Sequence, residues 1–208
     1  MSTAFDRDAL LDAFDRIGHA AVEADAKLQI AVYGGSALML ASNFRFATED
    51  VDIAEIGGEW PEWLTNVVAV VAREKGWSAD WLNDAVTFHL SPRAELQRDH
   101  LPFGNFPRRT EAVGLTVFIP TPRYLLALKL KSLRISNFEK GAADMADTAN
   151  LLRVAGITEV EQGVAVLAEF FPRSAADADK QRFVLKRLLS QEPAIHAPKY
   201  PRGSDDEN

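Results

Sequence analysis

Leu28 to Tyr33 (LQIAVY) is a short, apolar, β-rich run that stops at Gly34-Gly35-Ser36. An apolar run of this length, bounded by glycine, reads as a buried strand. Ser36 to Ala41 (SALMLA) stays apolar and opens a short helix. A buried strand that turns sharply into a helix places the chain in the mixed α/β (α+β) class.

Glycine lets a backbone approach a ligand with no Cβ in the way. Amides at a helix start have no intrahelical partner and form an anion site. Gly34, Gly35 and Ser36 therefore suit a phosphate chain, although Gly-Gly also makes ordinary turns. The chain lacks GxGxxG and GxxxxGK[ST], so neither a dinucleotide fold nor a P-loop is indicated. After thirteen intervening residues (37–49) the chain reads Asp50-Val51-Asp52, inside an expected strand from Asp50 to Ile56. Residues two apart in a strand share a face. Two adjacent carboxylates repel unless a cation lies between them. Oxygen ligation of that kind suits Mg²⁺ or Mn²⁺ shared with substrate phosphates. The alternative is an acidic solvent face.

The other elements follow from periodicity and capping. Ala4 to Ala26 is an expected amphipathic helix, with Leu10, Phe14, Ile17 and Ala21 at helical spacing. Pro61 to Lys75 reads as a helix with proline in its first turn. The stretch Trp81 to Leu90 is expected to hold a strand around VTFHL, and Ser91 to Gly114 reads as a long loop with room for a short strand. Leu115 to Ile119 reads as a strand. Thr121-Pro122 starts a helix running to about Ile135. A second helix spans Glu139 to Val154, a third is capped by Thr158 and a fourth by Ser174. The expected organisation is a mixed core over 1–120, a helical half over 121–190 and a disordered tail over 191–208.

Composition narrows the classes. There are 208 residues, 47% of them hydrophobic, enough for a real core. No apolar run approaches the ~18 residues of a membrane span. The first residues lack a basic stretch followed by an apolar one, so no signal peptide is expected. The absence of cysteine removes disulfides, thiolate metal sites and thiol catalysis, and a cytoplasmic location fits. The net charge of −7 argues against a general nucleic-acid coat. Yet Ser91 to Lys140 holds nine Lys/Arg against four Asp/Glu, a local surplus that could meet a phosphate ligand or an RNA end.

The order hydrophobic-Gly-Ser followed by Asp-hydrophobic-Asp resembles the signature of the nucleotidyltransferase (polymerase β-like) superfamily. More narrowly, GGSALML with Arg45 and Thr48 in the gap before Asp50 resembles the AbiEii-type toxin nucleotidyltransferases. The later stretch TPRYLLALKLKSLR…ADMADTANLL is similar to that group's second block, which maps onto Lys129, Arg134, Asp144 and Asp147. The resemblance covers about residues 28–155. It implies transfer of a nucleoside monophosphate from an NTP, with pyrophosphate released. By resemblance, Gly34, Gly35, Ser36, Arg45 and Thr48 would face the triphosphate, and Asp50 and Asp52 would bind the metal. Lys129 would neutralise phosphate, and Asp144 would organise the site or acceptor. Asp147 and Arg134 are further candidates. The implied partners are an NTP, tRNA as acceptor and a cognate antitoxin protein; no membrane is implied. The bland alternatives are a snorkelling Lys129, and Asp144 or Asp147 paired with Arg134 or Lys140. Asn83 and Asp84 read as cleft residues, and His89 as a plain strand residue. Neither VTFHL nor LTVFI offers the third strand acid that many superfamily members carry. A degenerate nucleotide-binding module and a small-molecule nucleotidyltransferase therefore stay open.

Overall fold

The computed structural model describes residues 3–56, 60–133, 138–191 and 198–204, with the backbone alone for 138–142. The chain divides into two compact units. One comprises Met1–Phe88, Leu101–Ile119 and Pro201–Asn208; the other comprises His89–His100 and Pro120–Tyr200. The class is α+β, as the strand-to-helix turn implied.

The first unit is built on a five-stranded mixed sheet. Its order is β5 (Leu82–Asn83), β4 (Val51–Glu55), β2 (Leu28–Val32), β7 (Leu115–Pro120) and β6 (His100–Phe106). The central β2 runs antiparallel to β4 and parallel to β7. Its apolar side chains are buried, which is why LQIAVY reads as continuous rather than alternating. Helix α1 (Arg7–Glu23) is capped by Asp6, whose Oδ1 accepts from Ala9 N at 2.9 Å. It buries Leu10, Leu11, Phe14 and Ile17 and packs on α3 (Glu62–Lys75). Gly18 on α1 lies where a Cβ would come within 2.5 Å of the Phe106 carbonyl carbon, so only glycine allows this approach. A two-residue ladder joins β1 (Phe5–Asp6) to β3 (Ala47–Thr48). Beneath it Phe5 stacks on Trp77 at 4.1 Å, with Trp81 edge-on. Short α2 (Gly34–Ala41) leaves the end of β2 directly.

The second unit is helical: α4 (Leu96–Asp99), α5 (Pro122–Ser132), α6 (Phe138–Val154), α7 (Val160–Phe170), α8 (Pro172–Ala175) and α9 (Asp179–Leu189). Tyr124 anchors it. Its ring meets Phe170 at 4.8 Å, and its hydroxyl accepts from Ser91 N at 3.0 Å. Ser91 Oγ in turn donates to Phe170 O at 2.7 Å. That pair draws residues 89–100 into the helical unit.

Several expectations are corrected here. The stretch Trp81 to Leu90 does hold a strand, but at Leu82–Asn83; VTFHL lies mostly in a 3₁₀ turn (Ala85–His89) with no buried residue. Asn83 Oδ1 accepts from Ala85 N at 3.1 Å, an Asx turn that competes with extension. The expected loop 91–114, read with room for a short strand, contains the short helix α4 and the seven-residue β6. Pro102 and Gly104 look like breakers, but β6 is an edge strand, where both are tolerated. Helix α7 is capped by Glu159 in a capping box with Gln162, one residue after Thr158. The expected Ser174 helix is two, α8 and α9. The tail expected to be disordered includes 198–204, which are packed: Tyr200 donates to Pro120 O, and Ser204 N donates to Phe103 O at 3.2 Å. Burial pushes the Tyr200 hydroxyl well above its ordinary range. Residues 89–100 group with the helical unit, and 201–204 with the first.

Candidate functional site

In the first unit the Gly-Gly-Ser turn and the aspartate strand meet. Tyr33 N donates to Asp52 O at 2.8 Å, carrying the β2–β4 pairing past the end of β2. Gly34 then turns with φ +65°, a left-handed conformation suited to glycine. A Cβ on Gly34 would lie 3.1 Å from Asp52 Oδ2, and one on Gly35 would lie 2.7 Å from Arg45 Nη1. Each glycine thus leaves bare backbone beneath a charged group: a carboxylate over Gly34 and a guanidinium over Gly35. The first turn of α2 adds oriented amides at the same place. Backbone amides, a guanidinium and a carboxylate thus meet at the Gly34–Gly35 turn.

Ser36 sits differently from the expectation of a phosphate donor. Its side chain is buried and its hydroxyl donates to Tyr33 O at 2.9 Å, closing the turn. Asp50 is exposed and lies one residue ahead of β4. Thr48 is buried in β3, and its hydroxyl donates to Asp50 O at 3.0 Å, with Asp50 Oδ1 at 3.5 Å. Thr48 therefore shapes the approach to Asp50. Asn83 faces Asp52 in parallel register on β5. Sequence alone could not place it, because a two-residue strand carries no periodicity.

Two carboxylates do not make a closed metal cage. Among the described residues no group of three or more His, Cys, Asp and Glu could hold a metal ion. Asp50 and Asp52 carry oxygen donors, the kind a hard cation takes. A cavity of about 410 Å³ elsewhere in this unit, bordered by Val22, Asp25, Lys27, Glu111 and Val113, contains none of these residues.

In the second unit α5 and α6 bring Lys129, Asp144 and Asp147 together. Lys129 Nζ donates to Asp144 Oδ1 at 2.7 Å and to Asp147 Oδ2 at 2.9 Å. The Lys129 side chain is 10% exposed, Asp147 is 3% exposed and Asp144 is 39% exposed. The lysine does not snorkel to solvent; it is held between two acids, one of them deeply buried. Arg134 lies outside the described residues.

Among the described residues, three arginines of the basic stretch 91–140 pair with acids of the same chain. Arg98 pairs with Asp99 at 2.8 Å and with Glu95 at 2.9 Å, and Arg123 pairs with Glu169 at 2.8 Å. Arg108 binds Asp15 at 2.7 Å and Asp12 at 2.9 Å. Lys131 donates to His89 O at 2.8 Å and lies over the Phe171 ring. Among the described residues no helix is long and apolar enough to cross a membrane.

No family model matches the sequence, and no curated protein matches it. Among solved structures, the chain is similar to one described as an antigenic nucleotidyltransferase-like protein from Paracoccidioides brasiliensis. The two are 16% identical with a TM-score of 0.45, and the match covers 85% of this chain and 95% of that one.

Proposed function

We propose that the chain is a nucleotidyltransferase that takes an NTP at the Gly34–Ser36 turn and transfers its nucleoside monophosphate to a hydroxyl acceptor. The observation that carries this reading is the pairing of charges on bare backbone: Asp52 Oδ2 against Gly34 and the Arg45 guanidinium against Gly35. Arg45 and the α2 amides would hold the phosphates. Asp50 and Asp52 would hold Mg²⁺ or Mn²⁺, which supplies neutralisation of phosphate charge when bound. The acceptor oxygen forms a bond to the α-phosphorus, the α–β bridging P–O bond breaks, and pyrophosphate leaves. The hydroxyl proton passes to a carboxylate or to water.

The finer reading, a toxin that modifies tRNA and is held by an antitoxin protein, rests on the motif resemblance. The home-paired Arg98, Arg108 and Arg123 give it no added weight. A second reading is a nucleotide-binding module without turnover. The donor count favours it, since no described cluster of three acids backs the two aspartates.

The test uses purified chain, Mg²⁺, total tRNA and each α-labelled NTP in turn, beside Asp52→Asn. Label on RNA that requires Asp52 supports the enzyme and its tRNA acceptor. Label on protein moves the acceptor to a protein hydroxyl. NTP binding without label, also after addition of cationic small hydroxyl compounds, supports the module. No NTP binding refutes the reading of the turn.

A further inference from the structure

We propose that Pro201–Ser204 is a strap that positions the Gly34–Ser36 turn by gripping the far end of α2. The last carbonyls of α2 have no intrahelical partner. Here two arginines supply donors. Arg7 Nε donates to Leu40 O at 3.0 Å, Arg202 N donates to Ala41 O at 2.7 Å, and Arg202 Nη1 reaches Ser42 O at 3.4 Å. Arg7 Nη2 also donates to Gly203 O at 2.5 Å, so one guanidinium joins the start of α1, the end of α2 and the strap. Arg7 is only 4% exposed. A cation that deep is tolerated because it meets oriented carbonyls at the negative end of a helix dipole.

The strap also has a built seat on the sheet. Ser204 N donates to Phe103 O on β6. On the next residue, Gly104, a Cβ would lie 2.5 Å from Ser204 Oγ and 2.6 Å from its Cβ. The edge strand thus carries a glycine where the strap crosses it. Helix α2 has eight residues, about 12 Å at 1.5 Å per residue. A helix that short is marginal alone and takes its order from its end contacts. Fixing Leu40 to Ser42 therefore fixes the turn at its other end.

The functional half of this inference rests on the reading of the turn as a phosphate site; the structural half does not. Three full-length variants test both: Gly104→Val, which evicts Ser204; Arg202→Ala; and Arg202→Lys, which keeps the cation. Hydrogen exchange is followed at Ala37, whose amide donates to Tyr33 O at 3.2 Å beside the turn. Exchange there is expected to rise about tenfold in Gly104→Val, a few-fold in Arg202→Ala and little in Arg202→Lys, with Tm held within about 3 °C. Affinity for the four Mg–NTPs should fall in the same order. Exchange at Ala37 that stays at the wild-type rate in both Gly104→Val and Arg202→Ala overturns the strap. If Gly104→Val does not fold, the Arg202 pair decides alone. A wild-type chain that binds none of the four NTPs refutes the phosphate reading, and the exchange rates still decide whether the strap orders the turn.

Discussion

Replacing Lys129 by Met separates a structural from a catalytic demand on the second unit. The substitution keeps most of the stem volume and removes the charge. It leaves Asp147, 3% exposed, with its Lys129 contact at 2.9 Å gone. Breaking a buried pair from one side costs about 3–5 kcal/mol. Asp144 is 39% exposed, so water takes over most of its loss and its share is at most about 1 kcal/mol. For a chain of this size 1 kcal/mol moves Tm by about 2–4 °C, so Lys129→Met should melt roughly 6–20 °C lower. The double variant Lys129→Met/Asp147→Leu should recover most of the loss, since no buried charge remains. Calorimetry and urea unfolding of the single and double variants measure both. A single variant within about 1 kcal/mol of wild type, or a double variant no better than the single, would refute the account of this cluster.

Asp52→Asn should preserve Tm within about 2 °C and lower nucleotidyl transfer by at least about 100-fold, measured as pyrophosphate release. Gly34→Ala should cost about 1–2 kcal/mol for its left-handed φ and also weaken NTP binding, because the methyl group presses on Asp52 Oδ2. Gly76→Ala is the matched control: it has φ +67° with open space around it, so it should cost stability alone. Burial holds the His100 imidazole below its ordinary value of 6.5, so the unfolded chain takes up that proton first on acidification. Stability should therefore fall as pH drops through about 6.5, and His100→Asn should flatten the curve between about pH 5 and 7 in urea titrations.

Local rules were enough wherever one element made its own case. LQIAVY is apolar because β2 is buried at the centre of the sheet, and Thr121-Pro122 starts α5 with Thr121 Oγ1 accepting from Tyr124 N at 3.4 Å. They failed at β6, where Pro102 and Gly104 signal a break that an edge strand ignores, and at VTFHL, where β-rich letters yield to the Asn83 turn. The candidate site was legible in part. The charged residues could be named from the sequence, but not their neighbours. Ser36 turns inward to Tyr33, Lys129 is spoken for by two aspartates, and Asn83 stands beside Asp52.

What the sequence determined by itself is the strand–turn–helix with its two glycines, the aspartate pair, the mixed class and the lack of thiol chemistry. Each of these follows from residues close together in the chain. The tertiary structure alone decided that Asp52 lies over Gly34 and Arg45 over Gly35, that Arg7 reaches Gly203, that Arg108 pairs with Asp12 and Asp15, and that Arg123 pairs with Glu169. Those contacts join residues from ten to nearly two hundred positions apart. Strand register and helix packing set them, and short-range propensity carries no record of either.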